Sequence, residues 1–171
     1  MTTIKELSNL NGRRALITGA TGSLGKVMAD TLAELGADLI LVDRPGSDFN
    51  NLSVNLSEGW GINVESHICD LEQQTQRTDL IASLKNSDQG LNILINNAAF
   101  VGTSDLQGWA VPFEQQIVET WRRALEVNLT AIFDLSQGLT PILKTAEGAS
   151  IINIASIYGM YGPDWALYEG T

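Results

Sequence analysis

A glycine-rich turn and an acid placed beyond it carry the clearest chemistry in this chain. Thr18-Gly19-Ala20-Thr21-Gly22-Ser23-Leu24-Gly25 follows the short apolar run Ala15–Thr18, and a helical pattern begins at once. Such a turn brings backbone N–H groups and a helix N-terminus against a phosphate. Glycine serves there because a Cβ would block the turn or the pyrophosphate. Asp43 closes the next apolar run, Leu39–Val42, eighteen residues after Gly25. An acid at that distance, at a strand end, accepts hydrogen bonds from an adenosine ribose. A glycine turn alone is common in proteins. Strand, turn, helix and acid in this order read as a dinucleotide site.

The elements that must position these groups alternate along the chain. Strand-like runs are Ala15–Thr18, Leu39–Val42, Ile62–Cys69, Leu91–Ile95 and Ser150–Ile154. Helical patterns lie between them at Leu24–Leu35, Phe49–Trp60, Glu72–Leu84 and Phe113–Thr145. Consecutive apolar residues in a strand imply burial on both faces, hence a parallel sheet covered by helices. The fold expected is a Rossmann-type, doubly wound α/β sheet of order 3-2-1-4-5, formed as one domain over residues 1–171. Leu24, Val27, Met28, Leu32 and Leu35 are expected to form the core face of the first helix, with Gly36 as its stop. Trp121, with Ile117, Leu125 and Leu129, is expected on the apolar face of the long helix. Gly102–Gly108 is the expected mobile loop.

Ligands bind at the carboxyl ends of strands in such a sheet. Polar groups recur there: Thr18–Gly25, Asp43 and Arg44, Asp70, Asn96–Ala99, and Ser156. Each alone could be ordinary turn chemistry, since Asp, Asn and Ser favour turns for local hydrogen-bonding reasons.

Composition bounds the remaining choices. The chain has 171 residues, 44% hydrophobic and 18% charged, as an ordinary globular domain has. Its net charge of −10 argues against nucleic acid or an anionic membrane as a partner. The one cysteine, Cys69, fits a reducing compartment. No run of eighteen apolar residues suggests a membrane span, and Met1–Asn11 lacks a signal-peptide core. A cytoplasmic location is expected. The lone His67 and the scattered Trp60, Trp109, Trp121 and Trp165 form no catalytic or cofactor cluster.

Five motifs in order resemble the short-chain dehydrogenases/reductases over essentially the whole length. Thr18–Gly25 resembles that family's TGxxxGxG turn, and Cys69-Asp70-Leu71 its adenine-contacting step. Asn96-Asn97-Ala98-Ala99 resembles its NNAG motif. Val127-Asn128-Leu129 resembles the helix segment with its structural-catalytic Asn. Ile152–Ser156 resembles the strand that ends in its catalytic Ser. The resemblance implies cofactor contacts at Gly19, Thr21, Ser23, Leu24, Gly25, Asp43, Arg44, Asp70, Leu71, Asn97, Ala98 and Ala99. It implies catalytic roles for Asn128 and Ser156, in hydride transfer between nicotinamide and a small carbonyl/alcohol substrate. Asp43 favours NAD; NADP is the lesser expectation, with Arg44 as the group that could hold its phosphate. No metal is implied.

Two departures stand inside the motifs: Ser23 replaces the family's middle glycine, and Ala99 replaces the last glycine of NNAG. A larger one concerns Tyr-x-x-x-Lys, which the family's proton transfer needs. The last lysine is Lys144. Gly162 stands four residues after Tyr158, and Trp165 four after Tyr161. Either Tyr168 is the acid with its lysine beyond Thr171, or a later tyrosine serves. On this reading the 171 residues lack the complete catalytic set and the last helices and strands of the family fold. A non-catalytic dinucleotide-binding module and an inactive truncated product are the alternatives. The helix Phe113–Thr145 resembles the one that pairs between subunits, so a homo-oligomer is expected.

Overall fold

The computed structural model describes residues 2–101, 106–109, 111–162, 164 and 166. Five strands form the sheet: β1 (Arg14–Thr18), β2 (Asp38–Asp43), β3 (Val64–Ile68), β4 (Ile93–Asn96) and β5 (Ser150–Asn153). The helices are α1 (Ile4–Leu7), α2 (Ser23–Glu34), α3 (Asn50–Trp60), α4 (Gln74–Lys85), α5 (Val118–Leu125) and α6 (Ala131–Thr145). All strand pairs are parallel and their order is β3-β2-β1-β4-β5. This is the expected doubly wound, Rossmann-type arrangement. Its chain order reverses between β1 and β4, which leaves a crevice at the carboxyl ends of the strands.

The sheet is covered on both faces because alternate residues of its central strands point opposite ways. Leu16, Ile40 and Leu94 pack with Leu80 and Leu84 of α4 and with Leu135 and Leu139 of α6. Ile17, Leu39 and Leu41 pack on the other side with Ala29 and Ala33 of α2 and Leu56 of α3. Edge strand β5 is exposed along its length, including Ile151 and Ile152.

Two expectations about helix faces are corrected. Leu24 and Val27 are 60% and 65% exposed, and the buried face of α2 is Gly25, Ala29 and Ala33. Small residues at four-residue spacing let the helix sit close to the sheet, so Leu24 and Val27 are displaced outward, whereas Met28 and Leu32 are partly buried and pack against the core as expected. The pattern at Phe113–Thr145 is not one helix either. It divides into a 3₁₀ turn at Phe113–Gln115, then α5, a π-helical turn at Glu126–Thr130, and α6. Ala124, Val127, Ala131, Leu135, Leu139 and Leu143 face the core, whereas Trp121, Leu125, Leu129 and Phe133 are exposed. The apolar face read around Trp121 exists, and none of the described residues covers it. Residues 102–105 of the expected mobile loop, and Trp165 and Tyr168, lie outside the described residues.

Candidate functional site

The site is built outward from the turn after β1. Gly19 has φ +65°, and a Cβ there would stand 2.9 Å from the Ala98 Cα. A Cβ on Gly25 would strike the Gly19 carbonyl oxygen. These two glycines therefore permit the first turn of α2 to close on the turn and on the segment after β4. Gly22 is the N-cap of α2 and offers no side chain to the N–H groups of the first turn. Ser23 and Leu24, the first two helical residues, have no acceptor in their own helix, which leaves N–H groups and the positive end of the helix dipole for an anion.

Two ties fix the turn to its neighbours. The Thr18 hydroxyl accepts from the backbone N–H groups of Asn97 and Ala98, both at 3.0 Å. Asn97 Nδ2 donates to the carbonyls of Thr18 and Gly19 at 3.0 and 3.1 Å. On the other side, Asp43 Oδ2 accepts from both the backbone N–H and the hydroxyl of Thr21, at 2.9 and 2.7 Å. Asp43 Oδ1 accepts from the Arg44 N–H at 2.8 Å.

At the end of β3, Asp70 Oδ1 accepts from the Glu72 N–H at 3.0 Å, and its own N–H donates to Gln76 Oε1 at 2.7 Å. Together these segments enclose a cleft of about 550 Å³. All twelve residues expected at a cofactor line it: Gly19, Thr21, Ser23, Leu24, Gly25, Asp43, Arg44, Asp70, Leu71, Asn97, Ala98 and Ala99. Leu24 thus belongs to the cleft wall rather than to the core.

Asn128 and Ser156 do not line this cleft. Asn128 sits in the π-helical turn. Its Oδ1 accepts from the Phe100 N–H at 2.7 Å, and its Nδ2 donates to the Phe100 carbonyl at 3.3 Å. Ser156 caps the 3₁₀ turn Ile157–Gly159, its Oγ accepting from the Tyr158 N–H at 3.2 Å. In this chain both side chains are engaged with backbone.

Several residues escaped the sequence reading. Arg123 makes a two-point contact with Glu72, at 2.8 and 2.9 Å, and lies over the Phe100 ring 5.1 Å from its centroid. All three line the cleft. The signal was present only as an arginine and a glutamate far apart in sequence. Arg77, 1% exposed, reaches three segments at once. Its Nε donates to Asp134 at 2.8 Å, its Nη1 to the Leu71 carbonyl, and its Nη2 pairs with Glu126 at 2.7 Å. Burial alone would lower its pKa; the hydrogen bonds to Asp134 and Glu126 outweigh that and raise it. Cys69 lines the cleft floor, and its thiol is pushed up to about 11, first by burial and then by the charge of Asp70.

The chain is similar to known proteins over nearly its whole length. Residues 13–171 match the short chain dehydrogenase family. The chain belongs to that family. A tropinone reductase homolog of Arabidopsis thaliana is 32% identical over 95% of this chain and 58% of its own length. The short-chain dehydrogenase fold also matches an NAD+-bound xylitol dehydrogenase with a TM-score of 0.77 and 27% identity, covering 90% of this chain and 56% of that one. An L-sorbose reductase of Gluconobacter frateurii, in complex with NADPH and L-sorbose, gives 0.78 and 27% over the same shares. The first of these structures holds NAD+ and the second NADPH. The chain spans a little over half the length of the relatives it matches. Among the described residues no helix is long and apolar enough to cross a membrane, and no cluster of metal-ligating side chains occurs.

Proposed function

We propose that this chain binds a nicotinamide dinucleotide in the cleft, NAD in preference to NADP, and forms the cofactor-holding part of a carbonyl/alcohol oxidoreductase. The observation that carries the reading is Asp43, held at the tip of β2 beside the glycine turn by Thr21. The cradle fits the cofactor's shape and charge. Gly19 and Gly25 leave room a Cβ would fill, and the first turn of α2 supplies N–H donors for the pyrophosphate. Asp43 accepts from a ribose 2′-hydroxyl and repels a 2′-phosphate. Asp70 and Leu71 bound the adenine end, and Asn97, Ala98 and Ala99 the end toward β4.

A nicotinamide held by these residues would supply or accept the hydride. Ser156, in the segment that follows β5, hydrogen-bonds the substrate oxygen. Asn128 fixes Phe100, the first residue after Ala99, and so sets the wall of the cleft there. No tyrosine in the 171 residues stands four positions before a lysine, so the acid and the ammonium that lowers its pKa are not paired within them. That observation favours a second reading of the 171-residue chain itself: it binds the dinucleotide without turning over a carbonyl substrate. We also infer that the exposed face of Trp121, Leu125, Leu129 and Phe133 joins copies of the chain, and that the protein works in the cytoplasm, as its single cysteine suits.

Energy transfer from tryptophan to NADH, followed as NADH is titrated, tests binding. A saturable signal that ADP-ribose displaces is expected, with no NADH oxidation on adding ketones. No saturable signal would refute the binding reading, and robust NADH oxidation would refute the non-catalytic one.

A further inference from the structure

We infer that Thr21 is a positioning residue that sets the preference between dinucleotides with and without a 2′-phosphate, by holding the Asp43 carboxylate away from the Arg44 guanidinium. The inference rests on the proposal that the cleft binds NAD through Asp43. Thr21 is not adjacent to Asp43 in sequence; the glycine turn brings it there. It places two donors on one oxygen of the acid, its N–H at 2.9 Å and its hydroxyl at 2.7 Å from Oδ2. The other oxygen, Oδ1, receives the Arg44 N–H at 2.8 Å and keeps acceptor capacity for a ribose hydroxyl.

The neighbouring cation makes this restraint matter. Arg44 lines the same cleft, yet the ion pairs among the described residues do not include one between Arg44 and Asp43. A carboxylate one residue from an exposed guanidinium gains a modest attraction by turning to it. That turn would spend the charge that excludes a 2′-phosphate and withdraw the acceptor a 2′-hydroxyl needs. Thr21 opposes the turn with two hydrogen bonds to a charged acceptor, which are stronger than neutral ones. Both ends of the tether are cleft walls, so the acid is fixed relative to the pyrophosphate cradle.

The test compares Kd for NADH and NADPH in the wild-type chain, Thr21→Val and Thr21→Ser. Val keeps the shape and the backbone donor and removes only the hydroxyl. Losing one charge-assisted hydrogen bond is expected to lower the Kd(NADPH)/Kd(NADH) ratio about tenfold in Thr21→Val. Thr21→Ser, which keeps the hydroxyl, is expected to restore the ratio to within about threefold of wild type. A general loss of fold weakens both ligands alike and leaves the ratio unmoved. An unchanged ratio in a Thr21→Val chain that melts at the wild-type temperature overturns this inference while leaving the NAD reading intact. A wild-type chain that prefers NADPH refutes the NAD reading itself.

Discussion

Asn128 grips the backbone of Phe100 at both its N–H and its carbonyl, across twenty-eight residues of sequence. The two hydrogen bonds join the π-helical turn to the segment that follows Ala99. π turns of this kind often occur at functional sites, because the extra residue re-aims the side chains around it. Here the side chain re-aimed is an amide, which has both the donor and the acceptor that a peptide group needs.

Replacing that amide therefore has a directional cost. Asn128→Ala removes both bonds and is expected to cost about 1 kcal/mol, or roughly 2–4 °C in Tm for a domain of this size. NADH affinity should fall with it, since Phe100 lines the cleft. Asn128→Asp should be no better, because its carboxylate faces the Phe100 carbonyl without a donor. Thermal melts and NADH titration check this; unchanged values for both variants would show that the grip is idle.

Arg77 is costly to remove. The residue is 1% exposed and its guanidinium serves Leu71, Glu126 and Asp134. Arg77→Met leaves two carboxylates without their cation, and breaking a buried pair this way costs about 3–5 kcal/mol. Glu126 and Asp134 retain some exposure, so the lower end of that range is expected. A urea midpoint falling by 1 M or more corresponds to that loss, taking a slope of about 1–3 kcal/mol/M. A shift within error would mean that water replaces the cation at no cost.

Cys69 predicts the alkaline limit. Its thiol is raised from 9.0 to about 11 by burial, so the folded chain keeps a proton that the unfolded chain releases. The contribution is complete below pH 9 and is lost as pH rises through about 11. Unfolding free energy should thus decline from pH 9 upward, and Cys69→Ala should flatten that decline. Alkylation of the native thiol at pH 8 should also be slow, because the thiolate is the reactive form. Fast alkylation at pH 8 in the folded chain would contradict both expectations.

Exposed Trp121, Leu125, Leu129 and Phe133 form an apolar face on α5, the π turn and α6. Sedimentation over a wide concentration range should show association, and Leu129→Lys should shift the chain toward monomer. A clean monomer at every concentration would remove this face as an interface.

Strand order and cleft composition were legible because they depend on patterns local to the chain. Apolar runs mark buried strands, and glycine, Asp43, Asp70 and Asn97 follow those runs at their carboxyl ends. Helix faces were less legible. Val27 and Ala29 both fit a helical period, and only the close approach of α2 to the sheet decides that alanine goes inward. The π turn left no mark, because Glu126–Thr130 carries no proline or glycine to announce it. Arg77 and Arg123 were invisible for another reason: their partners are 57 and 51 residues away, so no spacing rule connects them.

The most direct measurement is the pair of dissociation constants for NADH and NADPH, taken in one buffer on the 171-residue chain. A doubly charged phosphate about 5 Å from a carboxylate is repelled by about 1.7 kcal/mol even in a water-like medium. NADH should therefore bind more tightly by roughly tenfold or more, and Asp43→Ala should remove most of the difference. Equal affinities in the wild-type chain, or tighter binding of NADPH, would contradict the account of the cleft.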